Sequence, residues 1–224
     1  MPIRTVIFDA YGTLFDVAGA ARLAAADWPV LGEVWPRLAE DWRRKQLEYS
    51  WLRTILRQHA DFAHVTAEAL DWALEAQGLA GAALRTRLLD LYQVLPPYPE
   101  VRQTVAQLKA QRIPRAILSN GTPEMLEAAV SSAGLEGSFD ALLSVEDVAT
   151  YKPAPIVYDL VLERFAARPS EVLFVSSNGW DISGAASFGF RTLWVNRAGL
   201  PVDRLPHRPA HIAPDLTTVT EYLA

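Results

Sequence analysis

The chain of 224 residues contains no cysteine. That removes disulfides, thiolate metal sites and a cysteine nucleophile, and it accords with a reducing, cytoplasmic setting. It also lacks any apolar run near the roughly 18 residues that a membrane helix requires, and Met1-Pro2-Ile3-Arg4 leads into a strand pattern rather than a signal peptide. No charge sign dominates: 21 basic against 26 acidic residues leave −5, so neither nucleic acid nor a membrane surface is an expected partner. There is no Gly-x-Ser-x-Gly elbow and no histidine placed to serve one, which excludes a serine hydrolase of that kind. His59, His64, His207 and His211 show no metal-ligand spacing with carboxylates, and no repeat or low-complexity tract is present. What remains, 50% hydrophobic and 21% charged, is ordinary globular composition. A chain of this length buries roughly 70% of its unfolded surface and needs no staple.

Short apolar, β-branched runs occur at Val6-Ile7-Phe8, Ala116-Ile117-Leu118, Leu142-Leu143, Val172-Leu173-Phe174-Val175 and Thr192-Leu193-Trp194-Val195. Between the later ones the pattern predicts helices over about 100–112, 123–134, 154–167 and 181–188. Apolar strands alternating with helices imply right-handed βαβ units and a parallel sheet covered on both faces, an α/β, Rossmann-like core. The expected strand order is 5-4-1-2-3.

Residues 16–97 break the alternation. They hold no strand pattern and are rich in Ala, Leu, Trp and Arg. A long helix is predicted over about 33–58, with Leu38, Trp42, Tyr49, Leu52 and Leu56 on one apolar face. Further helices are predicted at 66–77 and 81–94, and Pro96-Pro97-Tyr98-Pro99 reads as a stiff return linker. This segment is expected to be a helical cap inserted into a core made of 1–15 and 98–224. Gly19 or the proline linker is expected to permit slight cap movement. Segment 201–214 reads as irregular, ahead of a short C-terminal helix.

In an open parallel sheet, ligands bind beyond the carboxyl ends of the strands. The first run ends in Asp9-Ala10-Tyr11-Gly12-Thr13. The second ends in Ser119-Asn120-Gly121-Thr122, where Thr122 and Pro123 suit an N-cap and a first helical residue. Tyr151-Lys152-Pro153 follows the third, with Pro153 again suited to start a helix, and the fourth ends in Ser176-Ser177-Asn178-Gly179-Trp180-Asp181. Four strand ends offering Asp, Ser/Asn, Lys and Ser/Asn/Asp form a coherent polar site.

On these motifs the chain resembles the haloacid dehalogenase superfamily and, within it, the L-2-haloacid dehalogenases. Phe8–Asp16 resembles their nucleophile loop. Leu118–Gly121, Tyr151-Lys152-Pro153 with Tyr158, and Ser176–Asp181 resemble their other core motifs, and Trp42-Arg43-Arg44-Lys45-Gln46-Leu47-Glu48-Tyr49 resembles their cap helix. The resemblance implies Asp9 as nucleophile, Arg43 with Asn120 receiving halide, and Ser119 with backbone N–H groups from Ala10 onward holding the substrate carboxylate. It implies Lys152 keeping Asp9 ionised, with Thr13, Tyr158, Ser176 and Asn178 orienting these groups. Asp181 would assist the hydrolytic water, and Tyr11, Leu47, Phe62 and Trp180 would wall the alkyl group and halide. A 2-haloacid substrate, a halide product, no cofactor, no metal and a homodimer are the corresponding expectations.

Two residue types separate this chemistry from that of superfamily phosphatases. Where those enzymes carry a second Asp as general acid/base, this chain has Tyr11, whose ordinary pKa near ~10 ill suits a base at neutral pH. The fourth motif offers Ser176, Ser177 and Asn178, leaving only Asp181 as a nearby acid for Mg²⁺, a hard ion that favours carboxylates. A Mg²⁺-dependent phosphatase and a degenerate binding protein stand as alternatives. Within the Arg-Arg-Lys run, Glu40 and Arg44, and Asp41 and Lys45, are spaced for surface pairs, whereas Arg43 lies between Ala39 and Leu47 beside the apolar stripe. Arg44 replaces a glutamine of well-known relatives. Facing the pocket, it would narrow the leaving-group site or favour an acidic substrate; facing solvent, it is expected to pair with Glu40 and change little.

Overall fold

The computed structural model describes residues 2–223. β1 (Thr5–Phe8) is wholly buried, as a β-branched run without a polar face must be. It pairs with β2 (Arg115–Ser119) on one side and β4 (Val172–Ser176) on the other, Ile7 lying opposite both Ala116 and Phe174. β3 (Ala141–Ser144) and β5 (Arg191–Val195) extend the sheet, and all of these pairs are parallel. The order of these five strands is the expected one. A sixth strand, β6 (His211–Ala213), pairs with β5 at the edge, giving 3-2-1-4-5-6. Segment 201–214 is therefore not irregular throughout. Its strand is three residues long with Ile212 exposed, too short to leave an alternating signature. The expected C-terminal helix is a single 3-10 turn, Val219–Tyr222.

Four helices follow β1: α1 (Gly19–Asp27), α2 (Trp35–Leu56), α3 (Phe62–Ala76) and α4 (Ala82–Gln93). Then α5 (Val101–Ala110), α6 (Pro123–Ser132), α7 (Pro155–Phe165) and α8 (Gly179–Phe188) alternate with the remaining strands. Thr122 caps α6 by accepting from the Met125 N–H at 3.3 Å, with Pro123 first in the helix as expected. Pro155, not Pro153, takes that place in α7. Helix α1 went unseen in the sequence because it is a short, Ala-rich stretch of nine residues with no side-chain cap to mark its start. Among the described residues no helix is long and apolar enough to cross a membrane.

The buried face of α2 differs from the predicted one. Leu38 and Trp42 are buried, but the stripe continues through Gln46 and Ser50, while Leu52 and Leu56 are exposed. At about 1.5 Å per residue the 22-residue helix is roughly 33 Å long, and its C-terminal apolar side chains turn outward. Arg44 also faces outward, but it pairs with Asp41 at 2.9 Å and Glu48 at 3.5 Å rather than with Glu40. Lys45 takes Glu48 at 2.9 Å rather than Asp41.

Chain leaves and re-enters the sheet layer at one point. Asp16 N–H donates to the Pro96 carbonyl at 2.9 Å, and Tyr98 N–H to that of Leu14 at 3.0 Å. Arg197, after β5, closes the junction: it donates to the Thr13 carbonyl at 2.9 Å, pairs with Glu100 at 2.6 Å, and lies 3.7 Å from the Tyr98 ring centre. A Cβ on Gly19 would stand 2.7 Å from Pro96 Cδ, so this glycine permits close packing at the junction. Between helical layer and sheet, His59 meets Glu146 at 2.8 Å and the Tyr151 hydroxyl donates to the Ala60 carbonyl.

Candidate active site

Asp9 is the first residue beyond β1, and its N–H still donates to Val175 at 2.9 Å, so the sheet fixes where its carboxylate begins. The next turn closes on the Ala10 carbonyl, which accepts from the N–H groups of Thr13, Leu14 and Phe15. Gly12 sits at φ +90°, a region costly for a residue with a Cβ, and it brings Thr13 back toward Asp9. Thr13 Oγ1 lies 2.8 Å from Asp9 Oδ2 and also 2.8 Å from the Ser177 N–H, which donates to it. Asn178 Nδ2 donates to the same Oδ2 at 2.8 Å, and the Ser176 hydroxyl does so at 3.4 Å.

Lys152 Nζ donates to Asp9 Oδ1 at 2.8 Å, Asp181 Oδ2 at 2.6 Å and the Leu118 carbonyl at 3.1 Å. Its side chain is 1% exposed and that of Asp181 is fully buried. An ion cluster so deep is sustained only when its remaining lone pairs and protons are satisfied. Here Tyr158 Oη donates to Asp181 Oδ1 at 2.8 Å, and Ser176 Oγ reaches Oδ2 at 3.3 Å. Burial works against the charge on Lys152, but Asp181 and Asp9 outweigh it and hold the ammonium above its ordinary pKa. Burial raises Asp181 to about 6, against the opposing pull of Lys152. Burial, reinforced by Asp181, keeps the Tyr158 phenol protonated and hence a donor.

Ser119 Oγ accepts from the Gly121 N–H at 3.0 Å, leaving its own proton to donate. Asn120 Oδ1 accepts from the Lys152 N–H at 3.0 Å, which fixes the amide and leaves Nδ2 unspent on that bond. From α2, Arg43 reaches the sheet layer. Its Nη2 donates to the Tyr11 carbonyl at 3.2 Å and to Asn178 Oδ1 at 3.4 Å, and its Nη1 to Gln46 Oε1 at 2.8 Å.

Tyr11 is buried, its ring stacked on Tyr92 with centroids 5.5 Å apart and tilted against Phe62 at 5.9 Å. Burial pushes its phenol well above the ordinary value, so it is no general base. Trp180 stands apart from these rings. It packs edge-on against Trp51 and lines an apolar cavity of about 390 Å³ with Trp51, Thr54, Ile55, Lys152, Pro153 and Ala154. Leu47 is half-buried, one turn beyond Arg43. The structure thus gathers Asp9, Thr13, Arg43, Lys152, Tyr158, Ser176, Asn178 and Asp181 into one hydrogen-bonded network. Ser119 and Asn120 adjoin it, Tyr11 and Phe62 pack as one aromatic group, and Trp180 lies toward the cavity.

Four contributors went unassigned in the sequence. Ser177 and the Leu118 carbonyl act through backbone groups, which carry no residue-type signal. Gln46 lies three residues after Arg43 and therefore on the same helix face, a signal that was available. Tyr92 is 46 positions from its partner Gln46, and nothing local marks it. Among the described residues no cluster of three His, Asp or Glu side chains is placed to hold a metal ion.

A buried aspartate just past the central strand of a parallel sheet, with a lysine at its side and helices above it, is the plan of a hydrolase that uses a carboxylate nucleophile. A haloacid dehalogenase-like hydrolase family model matches residues 3–189, and the chain belongs to that family. It is 48% identical over 201 residues to (S)-2-haloacid dehalogenase 1 of Pseudomonas sp. (strain CBS-3), covering 89% of this chain and 87% of that one. It is 44% identical to (S)-2-haloacid dehalogenase 4A of Burkholderia cepacia, covering 89% and 85% respectively. Among solved structures, the L-2-haloacid dehalogenase of Xanthobacter autotrophicus with chloropropionic acid covalently bound aligns with TM-score 0.87 and 38% identity, covering 98% of this chain and 97% of that one.

Proposed function

We propose that the chain hydrolyses (S)-2-haloalkanoic acids to (R)-2-hydroxy acids, releasing halide through an ester on Asp9. One observation carries the reading: a single buried ammonium, Lys152, stands between Asp9 and Asp181, where a carboxylate pair would otherwise require a cation. An unscreened carboxylate that still has a counter-charge is suited to attack sp³ carbon from roughly 3–3.5 Å. The structures and relatives named above support the same chemistry.

In the first step an Asp9 carboxylate oxygen bonds to C2 as the carbon–halogen bond breaks, and the halide departs with the bonding electron pair. C2 inverts. Charge grows on the halide opposite Asp9, where Arg43 and the Asn120 amide stabilise it. Ser119 and backbone N–H groups from Ala10 hold the substrate carboxylate. Thr13, Ser176 and Asn178 orient Asp9, and Tyr11, Leu47, Phe62 and Trp180 form the apolar wall. In the second step water adds to the carbonyl carbon of the Asp9 ester, its proton passing to Asp181, which Lys152 and Tyr158 hold in place. The ester's acyl–oxygen bond then breaks and that proton goes to the departing hydroxy acid, so C2 keeps its inverted configuration and Asp9 is regenerated. Lys152 supplies the positive charge beside Asp9. Segment 16–97 acts as a cap over the core.

The test is halide release from L- and D-2-chloropropionate with EDTA present, for wild type and Asp9→Asn. Release from the L form alone, abolished by the substitution, is expected. Silence with both, together with Mg²⁺-dependent phosphate-ester turnover, would replace this reading with a phosphatase.

The reading includes a cytoplasmic homodimer. Leu52, Ile55 and Leu56 are 46%, 75% and 62% exposed along the end of α2, an apolar ridge suited to self-association. Light scattering behind size exclusion should give twice the chain mass, and a monomer would remove the dimer from the proposal.

A further inference from the structure

Arg43 and Lys152 are the two cations of the site, and they are held in opposite ways. Lys152 is paired with two carboxylates. Among the described residues no carboxylate lies within ion-pairing distance of Arg43, whose partners are the Tyr11 carbonyl, the Asn178 amide oxygen and the Gln46 amide oxygen. A guanidinium left without a counter-ion has its full charge to offer an anion.

Gln46 is 1% exposed, and proton bookkeeping fixes its amide. The Thr66 hydroxyl donates its single proton to the Phe62 carbonyl at 2.6 Å. Its oxygen can therefore only accept from Gln46, and Gln46 Nε2 does donate to it at 2.7 Å. Nε2 also reaches Tyr92 Oη at 3.0 Å. With Nε2 committed to this side, Oε1 must face Arg43, where it lies 2.8 Å from Nη1. A flipped amide would aim N–H groups at the guanidinium and leave Thr66 without its donor. The buried set thus presents a neutral acceptor where a glutamate of the same shape would present a charged one.

We infer that Gln46 is a positioning residue for halide departure: it holds Arg43 in place while leaving the guanidinium's charge unneutralised for the leaving halide. The inference rests on the dehalogenase reading above and deepens it.

The test compares wild type with Gln46→Glu on L-2-chloro-, L-2-bromo- and L-2-iodopropionate, in single turnover as well as steady state. Glutamate is nearly isosteric and can accept from Arg43, Tyr92 and a rotated Thr66 hydroxyl, so a purely structural role predicts an unchanged enzyme. Neutralising Arg43 predicts a kcat loss on the order of 10²-fold with chloride as leaving group, comparable with losing one stabilising group at a developing charge. KM should change little, because the interaction matters chiefly in the transition state. The loss should shrink from chloride to bromide to iodide, since better leaving groups need less help. Free bromide should inhibit the variant less strongly than wild type.

Equal losses with all three halides, or none with the unfolding midpoint intact, would overturn the inference. Should Gln46→Glu fail to fold, Gln46→Met decides: it keeps the side-chain length and removes the oxygen that holds Arg43, so the inference requires a chloride-weighted loss, and equal losses with all three halides, or none, would sink it. Failure of wild type to release any halide would instead overturn the dehalogenase reading itself.

Discussion

The two halves of the site solve different electrostatic problems. On the sheet side, Lys152, Asp9 and Asp181 form a buried cluster in which charge is matched by charge and most spare polar atoms have partners. On the helical side, Arg43 is half-buried and held by neutral oxygens alone. The first arrangement keeps an ammonium beside the attacking carboxylate. The second withholds its charge until an anion appears. Removing a member of the first half should therefore damage fold and chemistry together, whereas altering the second should damage chemistry alone.

The largest effect is expected from Lys152→Ala, which strands two buried carboxylates. It should abolish halide release and cost about 3–5 kcal/mol of stability, the penalty of breaking a buried pair from one side, as measured by urea unfolding. A stable, inactive variant would break the comparison. Next comes Arg43→Lys, which keeps the charge and loses the planar fork. Its kcat should fall by roughly 10²–10³ with an almost unchanged unfolding midpoint.

The pH dependence sharpens the contrast. Asp181, raised by burial to about 6, accepts a proton from water only when ionised. Ester hydrolysis, followed by single-turnover chase, should fall in acid, at or below about 6, because esterification removes the Asp9 charge that helps raise Asp181, and hold steady above it while Lys152 keeps its proton. Tyr158→Phe removes a hydrogen bond that lowers Asp181, so its acid limb should move to higher pH. The smallest effect belongs to Arg44→Gln. Arg44 is half exposed, pairs among the described residues with Asp41 and Glu48 and lies over Trp72, so halide release should match wild type and stability should shift by no more than about 0.5 kcal/mol.

Much of the sheet-side half was legible because its signals are local: three strand runs stop at a residue the site uses, Phe8 before Asp9, Leu118 before Ser119 and Val175 before Ser176. Arg43 was legible from spacing within one helix. Its support was legible only as a position: Gln46 stands one turn from Arg43 on the same face, but its burial depends on Thr66 and Tyr92 arriving from other helices. The exposed end of α2 was misread for the same reason, since apolar residues at helical spacing show that a face exists without showing what covers it. Arg44 passed over Glu40 for Asp41 on one side and Glu48 on the other, a choice made by rotamers.

The clasp near Pro96 has a consequence for how such a chain can be lengthened or trimmed. Because Asp16 and Pro96 are joined by a hydrogen bond, and Arg197 rivets Thr13, Tyr98 and Glu100 together, everything between them is a closed loop whose ends are already pinned. The entropy of closing such a loop grows only with the logarithm of its length, about 0.6 kcal/mol for each doubling. A change in the length of the helical layer therefore carries only a small closure cost at the points where it joins β1 and α5, whereas a change that moves Arg43 also breaks its contacts to Tyr11 and Asn178.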